Sequence, residues 1–266
     1  MSNPVKAGPF SLLVTQRRVT AALVRQSLRD RVAGSAFGFF FLALYPLLFL
    51  GVYTFVFVHV LQVRVPDLSP EAYTLAIFCG LVPFLAFAEA LTVGSGSIVS
   101  NATMVRNLMF PYEILPVRDV VASYVAMAPG FMMVLAAALW KQGPHLSQLL
   151  VPIVVVLQIM FSIGLVWLLA TLNVFMRDIQ KLLPILVLML MMISPIAYTR
   201  DMLPAGLATL ALFNPLAGFI FLYRDMLFEG TVSVLTLSIM SVISLAVFFI
   251  GFYVIRRLRP LVFDFV

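Results

Sequence analysis

The sequence predicts an all-α, polytopic membrane protein, and three observations carry that prediction. Only 11% of its 266 residues are charged, against about 25% in an ordinary soluble domain. A hydrophobic share of 63% cannot be hidden inside a 29.5 kDa globule, and 17 basic plus 11 acidic side chains cannot coat its outside. The apolar residues also come in runs of about 20, the length a helix needs to cross about 30 Å of hydrocarbon with its backbone groups paired internally.

Residues 1–35 interleave six basic residues with Leu12, Val19, Leu23, Val24, Leu28 and Val32 at helical spacing. This pattern predicts an amphipathic helix on the cytoplasmic surface. A cleavable signal peptide is not expected, because the basic stretch is long and the following run spans a full bilayer. Five runs have bilayer length: Ala36–Val58, Tyr73–Val93, Val120–Leu139, Leu149–Leu172 and Thr231–Ile255. Leu182–Tyr198, 17 residues without a charge, makes a sixth span, and residues 259–266 follow as a short tail.

An even number of spans places both termini on one side. With the termini inside, Lys6, Arg17, Arg18, Arg25, Arg29, Arg31, Arg106, Arg118, Arg177, Lys181, Arg256, Arg257 and Arg259 are cytoplasmic, which is 13 of 17 basic residues. Arg64, Lys141, Arg200 and Arg224 are left outside. Basic residues are retained on the cytoplasmic face, so the net charge of +6 is a topology signal directed at anionic headgroups, and no nucleic-acid partner is expected.

Several chemistries are excluded. No G-x-x-x-x-G-K-[ST] loop occurs, so ATP binding by that route is not expected. A single cysteine, Cys79, and two histidines, His59 and His145, leave no disulfide framework and no multi-histidine metal site. Gly94-Ser95-Gly96-Ser97 reads as helix-breaking turn chemistry, because both histidines fall on the opposite side and no nucleophile and base can meet. No catalytic residue, metal or cofactor is therefore assigned to this chain.

Two features inside the spans carry functional candidates. Glu89 is the one ionisable group in a predicted span, and two readings stand: a carboxylate reaching the headgroups or paired with a base such as Arg106, or a transport role. On the first span Phe37, Phe41, Tyr45, Phe49, Tyr53 and Phe57 recur every four residues. Each step drifts by about 40°, so the row winds round the helix. Such rings pack between helices or face lipid, or they line a channel and stack on a passing sugar. Phe41, Tyr45, Phe49 and Tyr53 are the channel candidates, the two tyrosines foremost.

The loop after the second span reads Ser100-Asn101-Ala102-Thr103-Met104-Val105-Arg106-Asn107-Leu108-Met109-Phe110-Pro111-Tyr112-Glu113-Ile114-Leu115-Pro116. It resembles the type-2 ABC (ATP-binding cassette) exporter permeases, particularly those that export O-antigen, teichoic acid and capsule. In that family a short helix with an N-x-x-L/M-[VI]-[KR] pattern precedes F-P-x-E-[IL]-L-P. Leu172-Asn173-Val174-Phe175-Met176-Arg177-Asp178-Ile179 resembles the family's L-N-V-x-x-R-D-[IL], and Ser194-Pro195-Ile196-Ala197-Tyr198 its S-P-I-x-Y. Asn214-Pro215-Leu216 and Tyr223-Arg224-Asp225 continue the likeness, which covers residues 36 to 258.

The two prolines, Pro111 and Pro116, are expected to bracket a bend able to transmit force. Arg177 and Asp178, adjacent and therefore not facing each other, are each expected to find another partner at the cytoplasmic boundary.

The resemblance implies the rest. Asn101, Met104, Val105, Arg106 and Asn107 would form the coupling helix that docks on an ATPase, with Phe110, Pro111, Glu113 and Pro116 as the bend behind it. Short re-entrant helices would lie between spans five and six, in Thr199–Gly230. The chain would homodimerise in the bacterial inner membrane and recruit two copies of an ABC ATPase that carries ATP and Mg. The cargo would be an undecaprenyl-phosphate-linked glycan. A type-2 permease for a small amphipathic drug or lipid is the nearest alternative, followed by an intramembrane lipid-modifying enzyme.

Overall fold

The computed structural model describes residues 8–33, 38, 40–63, 68–107, 111–198 and 214–265, and every regular element among them is helical. Five helices or continuous helix pairs are long and apolar enough to cross a membrane: Phe40–Val60, Pro70–Ser95, Ile114–Gln142, Leu146–Phe175 and Val234–Arg257. The chain is a multi-pass membrane protein.

Helix α1 (Pro9–Thr15) and α2 (Arg17–Val32) meet at a turn on Gln16, so the expected single surface helix is two pieces. Phe10 of α1 reaches the rings of Phe248 and Phe249, and α2 packs on the third span. The first span, α3 (Phe40–Thr54), continues as the wider turn Phe55–Val60. Phe37 and Arg64 of the expected first span and loop lie outside the described residues.

The core is α4 (Pro70–Ser95). At 26 residues it is about 39 Å long. Pro70 sits in its first turn, where a missing N–H is harmless, and the Ser69 hydroxyl accepts from the Ala72 amide at 3.2 Å. Nearly all its residues from Tyr73 to Leu91 are buried, against α3 and most of the later helices. It ends where the Gly-Ser stretch stands, and α5 (Ser97–Ser100) and α6 (Ala102–Asn107) follow.

The third span is α7 (Ile114–Ala126) joined to α8 (Ala128–Gln142) across Met127, with Pro129 in the first turn of α8. It begins six residues earlier than hydropathy gave, because Arg118 and Asp119 mask its first turns in the sequence.

Span four, α9 (Val151–Phe175), lies closest to the last span, α12 (Val234–Arg257). A Cβ on Gly164 would stand 2.4 Å from the Val247 carbonyl oxygen, and one on Gly251 would stand 2.2 Å from the Gly164 oxygen. Only two glycines allow this approach, which replaces a hydrophobic driving force that lipid cannot supply.

The expected span Leu182–Tyr198 is instead α10 (Asp178–Ile193), 16 residues or about 24 Å, shorter than the hydrocarbon core. Its first turn takes Asp178, which the positive helix end favours, and Ser194-Pro195 stops it. After residues 199–213, which include Arg200 and lie outside the described residues, α11 (Pro215–Arg224) is capped by the Asn214 side chain, which accepts from the Leu216 amide at 3.0 Å. Residues of the expected tail form α13 (Arg259–Phe265) against the end of α9.

Candidate coupling site

The start of α10 meets the chain where α4 gives way to α5. A Cβ on Gly96 would lie 2.6 Å from Gln180 Nε2, so the break lets the first turn of α10 approach. Asn101 then makes the corner. Its Nδ2 donates to the Ser97 carbonyl at 2.7 Å, and its own carbonyl accepts from the Val105 amide at 3.0 Å, which closes α5 and starts α6. On α6 Thr103 and Arg106, three apart and on one face, are exposed. Met104 is half-buried, and Val105 is buried as the anchor of the helix rather than presented outward. Of the remaining coupling residues, the side chain of Asn107 and all of Phe110 lie outside the described residues.

The chain re-emerges at Pro111 in a tight turn closed by bonds from the Ile114 amide to the Pro111 carbonyl (3.1 Å) and from the Leu115 amide to the Tyr112 carbonyl (3.0 Å). Pro111 belongs to that bend. Pro116 does not, since it occupies the first turn of α7, where helices have no partner for an N–H. The segment Tyr112 to Val117 is buried throughout.

Three contacts bolt this buried elbow to the rest of the bundle. The Trp167 indole donates to the Glu113 carbonyl at 2.8 Å, and the Tyr112 hydroxyl donates to the Ile255 carbonyl at 2.5 Å. The Glu113 carboxylate, fully buried, faces Arg256 Nε at 3.7 Å and an Arg259 guanidinium nitrogen at 3.9 Å. The bend behind α6 is thereby tied to α9, α12 and the start of α13.

Glu89 is paired with Arg31 of α2, not with Arg106, and the same guanidinium donates to the Ser123 hydroxyl of α7 at 3.0 Å. Helices α2, α4 and α7 are thus joined by one arginine. Nearby, Arg118 grips Asp119 through two bonds, 2.7 and 3.0 Å. Two clefts share the Arg31–Glu89 pair as a wall. One, of about 550 Å³, is polar and opens between α2, α4 and α7. The other, of about 290 Å³, is lined by Phe41, Leu42, Tyr45, Ala126 and Met127.

The aromatic row therefore divides. Phe41 and Tyr45 face the smaller cleft, and Tyr45 leans on Phe49 with ring centroids 5.1 Å apart. Tyr53 is buried against Phe57 (5.6 Å), and its hydroxyl has no hydrogen-bond partner among the described residues. At the helix boundary Asp178 pairs with Lys181 at 3.2 Å, both well exposed. Arg177 is exposed beside Val99, Ala102, Val174 and Phe265 and has no ion pair among the described residues.

Arg224, counted outside by the charge rule and part of the Tyr223-Arg224-Asp225 likeness, is 4% exposed and buried at the opposite end of the bundle. Its guanidinium donates to the carbonyls of Tyr198 (3.0 Å), Ile196 (3.0 Å), Pro195 (3.1 Å) and Ala76 (3.4 Å). Asn214 Nδ2 bonds the Ser194 hydroxyl at 3.1 Å beside it.

Comparison with known proteins bears on these features together. The chain is 28% identical over 256 residues to an O-antigen export system permease protein, RfbA, of Klebsiella pneumoniae, covering 94% of this chain and 93% of that one. RfbA of Myxococcus xanthus is 27% identical over 222 residues, 82% of this chain and 83% of its own. The polysialic acid transport protein KpsM of Escherichia coli is 23% identical over 248 residues, covering 91% and 93%. The family described as ABC-2 type transporter matches residues 18–228, from α2 to just past Arg224, and the chain belongs to the ABC-2 type transporter family.

Proposed function

We propose that the chain is the permease subunit of an ATP-driven exporter that moves a lipid-linked polysaccharide, of O-antigen, teichoic acid or capsule type, across the bacterial inner membrane. The observation that carries this reading is the buried elbow. A push on α6 meets a turn whose backbone and side chains are held by Trp167, Ile255, Arg256 and Arg259, so displacement there is delivered to spans four and six. The names of the relatives, O-antigen export and polysialic acid transport, support the cargo class.

On this reading both termini are cytoplasmic and two copies of the chain pair, each with an ABC ATPase docked on Thr103, Met104 and Arg106. ATP and Mg belong to that partner. Its closure on nucleotide moves the elbow and tilts the spans, and the glycan passes outward between the two protomers, where Tyr45 and its neighbours offer flat apolar faces with a polar edge. This chain makes and breaks no covalent bond. Deleting the chain tests the cargo: a polyprenyl-linked glycan should accumulate on the inner face of the membrane and disappear from the surface, and both should revert when the chain is restored. Normal surface glycan in the deletion strain would refute the reading.

A further inference from the structure

The two clefts that share the Arg31–Glu89 pair differ in kind, and their order is informative. On one side lie carbon surfaces and ring faces, Phe41, Leu42, Ala126 and Met127, with the Tyr45 phenol among them. On the other lie hydroxyls and amides, Gln26, Ser27, Ser97, Ser100 and Asn101. Between them stands a single guanidinium. The other arginine of the polar cleft, Arg118, is already gripped bidentately by Asp119. The formal charges lining that cleft are Arg31 and Arg118 against Asp30, Glu89 and Asp119, a net of −1, so a free anion gains nothing there unless it reaches Arg31 itself.

A molecule with an apolar chain, then one phosphate, then hydroxyl-rich rings has the same sequence of polarities as the wall: carbon, cation, hydroxyl and amide. We propose that these clefts form one site for a polyprenyl-phosphate-linked sugar, with the phosphate on Arg31, the prenyl chain beside Phe41 and the first sugar in the polar cleft. The proposal rests on the export reading above and assigns it a residue. Arg31 exchanges one oxyanion, the Glu89 carboxylate, for another, the phosphate, and its planar fork suits both. Ser97, 2% exposed and with a hydroxyl that has no partner among the described residues, lines the same cleft. Because Arg31 rides on α2, the exchange also loosens the surface helix from α4.

The test is binding of radiolabelled undecaprenyl phosphate to the purified full-length chain in detergent, with each variant compared at the same monodisperse elution volume. Arg31→Gln should weaken binding about tenfold. Arg31→Lys, which keeps the charge and the partner for Glu89, should weaken it about threefold and carries the test if the glutamine variant does not fold. Glu89→Gln, which removes the competing carboxylate, should tighten binding about threefold. Undecaprenol, lacking the phosphate, should show none of these differences.

Glu89→Gln weakening binding as Arg31→Gln does would make the pair a plain strut and overturn the proposal. Equal competition by phosphatidylglycerol would overturn it in favour of a general anionic-lipid surface, and competition by millimolar inorganic phosphate in favour of a phosphate site without a lipid part. Absence of undecaprenyl phosphate binding overturns the site but leaves export standing, which falls only with the deletion phenotype.

Discussion

Two buried charges hold opposite ends of this molecule, and they are satisfied in different ways. At one end Arg224 sits in a cage of backbone carbonyls at 3.0 to 3.4 Å, three of them left over where Pro195 stops α10 and the fourth, that of Ala76, on α4. At the other, Glu113 is fully buried, yet its arginines stand at 3.7 and 3.9 Å and neither carboxylate oxygen has a hydrogen bond among the described residues. A charge saturated by short bonds fixes its surroundings, since any movement exposes several acceptors at once. A charge held across a gap by attraction alone tolerates displacement. On the proposed reading the Arg224 end serves as a fixture and the Glu113 end as a joint, the arrangement that drive through the elbow needs.

The largest expected effect is therefore at the fixture. Arg224→Met should destabilise the purified chain by at least about 3 kcal/mol, because the three carbonyls past the end of α10 lose a donor in a medium that cannot replace it, and the check is loss of the monodisperse peak in size-exclusion chromatography. Next comes the helix crossing: Gly251→Val should force α9 and α12 apart and cost about 1–3 kcal/mol or more, visible as a lower melting temperature. At the joint the account predicts a separation of stability from function. Glu113→Gln should stay within about 1 kcal/mol of the parent but lose several-fold in ATP-driven export in proteoliposomes, and an unaltered rate would mean that the elbow transmits through backbone and rings alone. Trp167→Phe, which deletes one bond to the elbow and leaves a smaller ring against Phe248 and Phe252, should cost about 1–3 kcal/mol, read as a lower melting temperature. Lys181→Ala breaks an exposed pair with Asp178 and should change nothing measurable.

How much of this was legible in the sequence follows the same division between local and distant causes. Apolar run length located the spans, and the Gly-Ser stretch marked the end of α4, because both signals are local. Run length failed at α10, which recruits Asp178, Gln180 and Lys181 into its first turn and stops at Ser194, so neither end coincides with the edge of the apolar run. Pro116 looked like part of a bend and is a helix start, since a proline is tolerated equally in both settings. The partners were hidden altogether. Glu89 chose Arg31, 58 residues away, over Arg106, 17 away, and three of the four carbonyls that Arg224 took are left open only because a distant helix breaks early. Periodicity says which face a residue occupies, and only packing says what faces it.

The claim on which all else depends is that α6 is where driving force is received. Co-purification of the ABC ATPase with the chain carrying Met104→Ala and Arg106→Glu tests it most directly. The account predicts that the doubly substituted permease remains folded and membrane-embedded while the ATPase no longer elutes with it. An ATPase that still co-elutes in full amount would contradict the account.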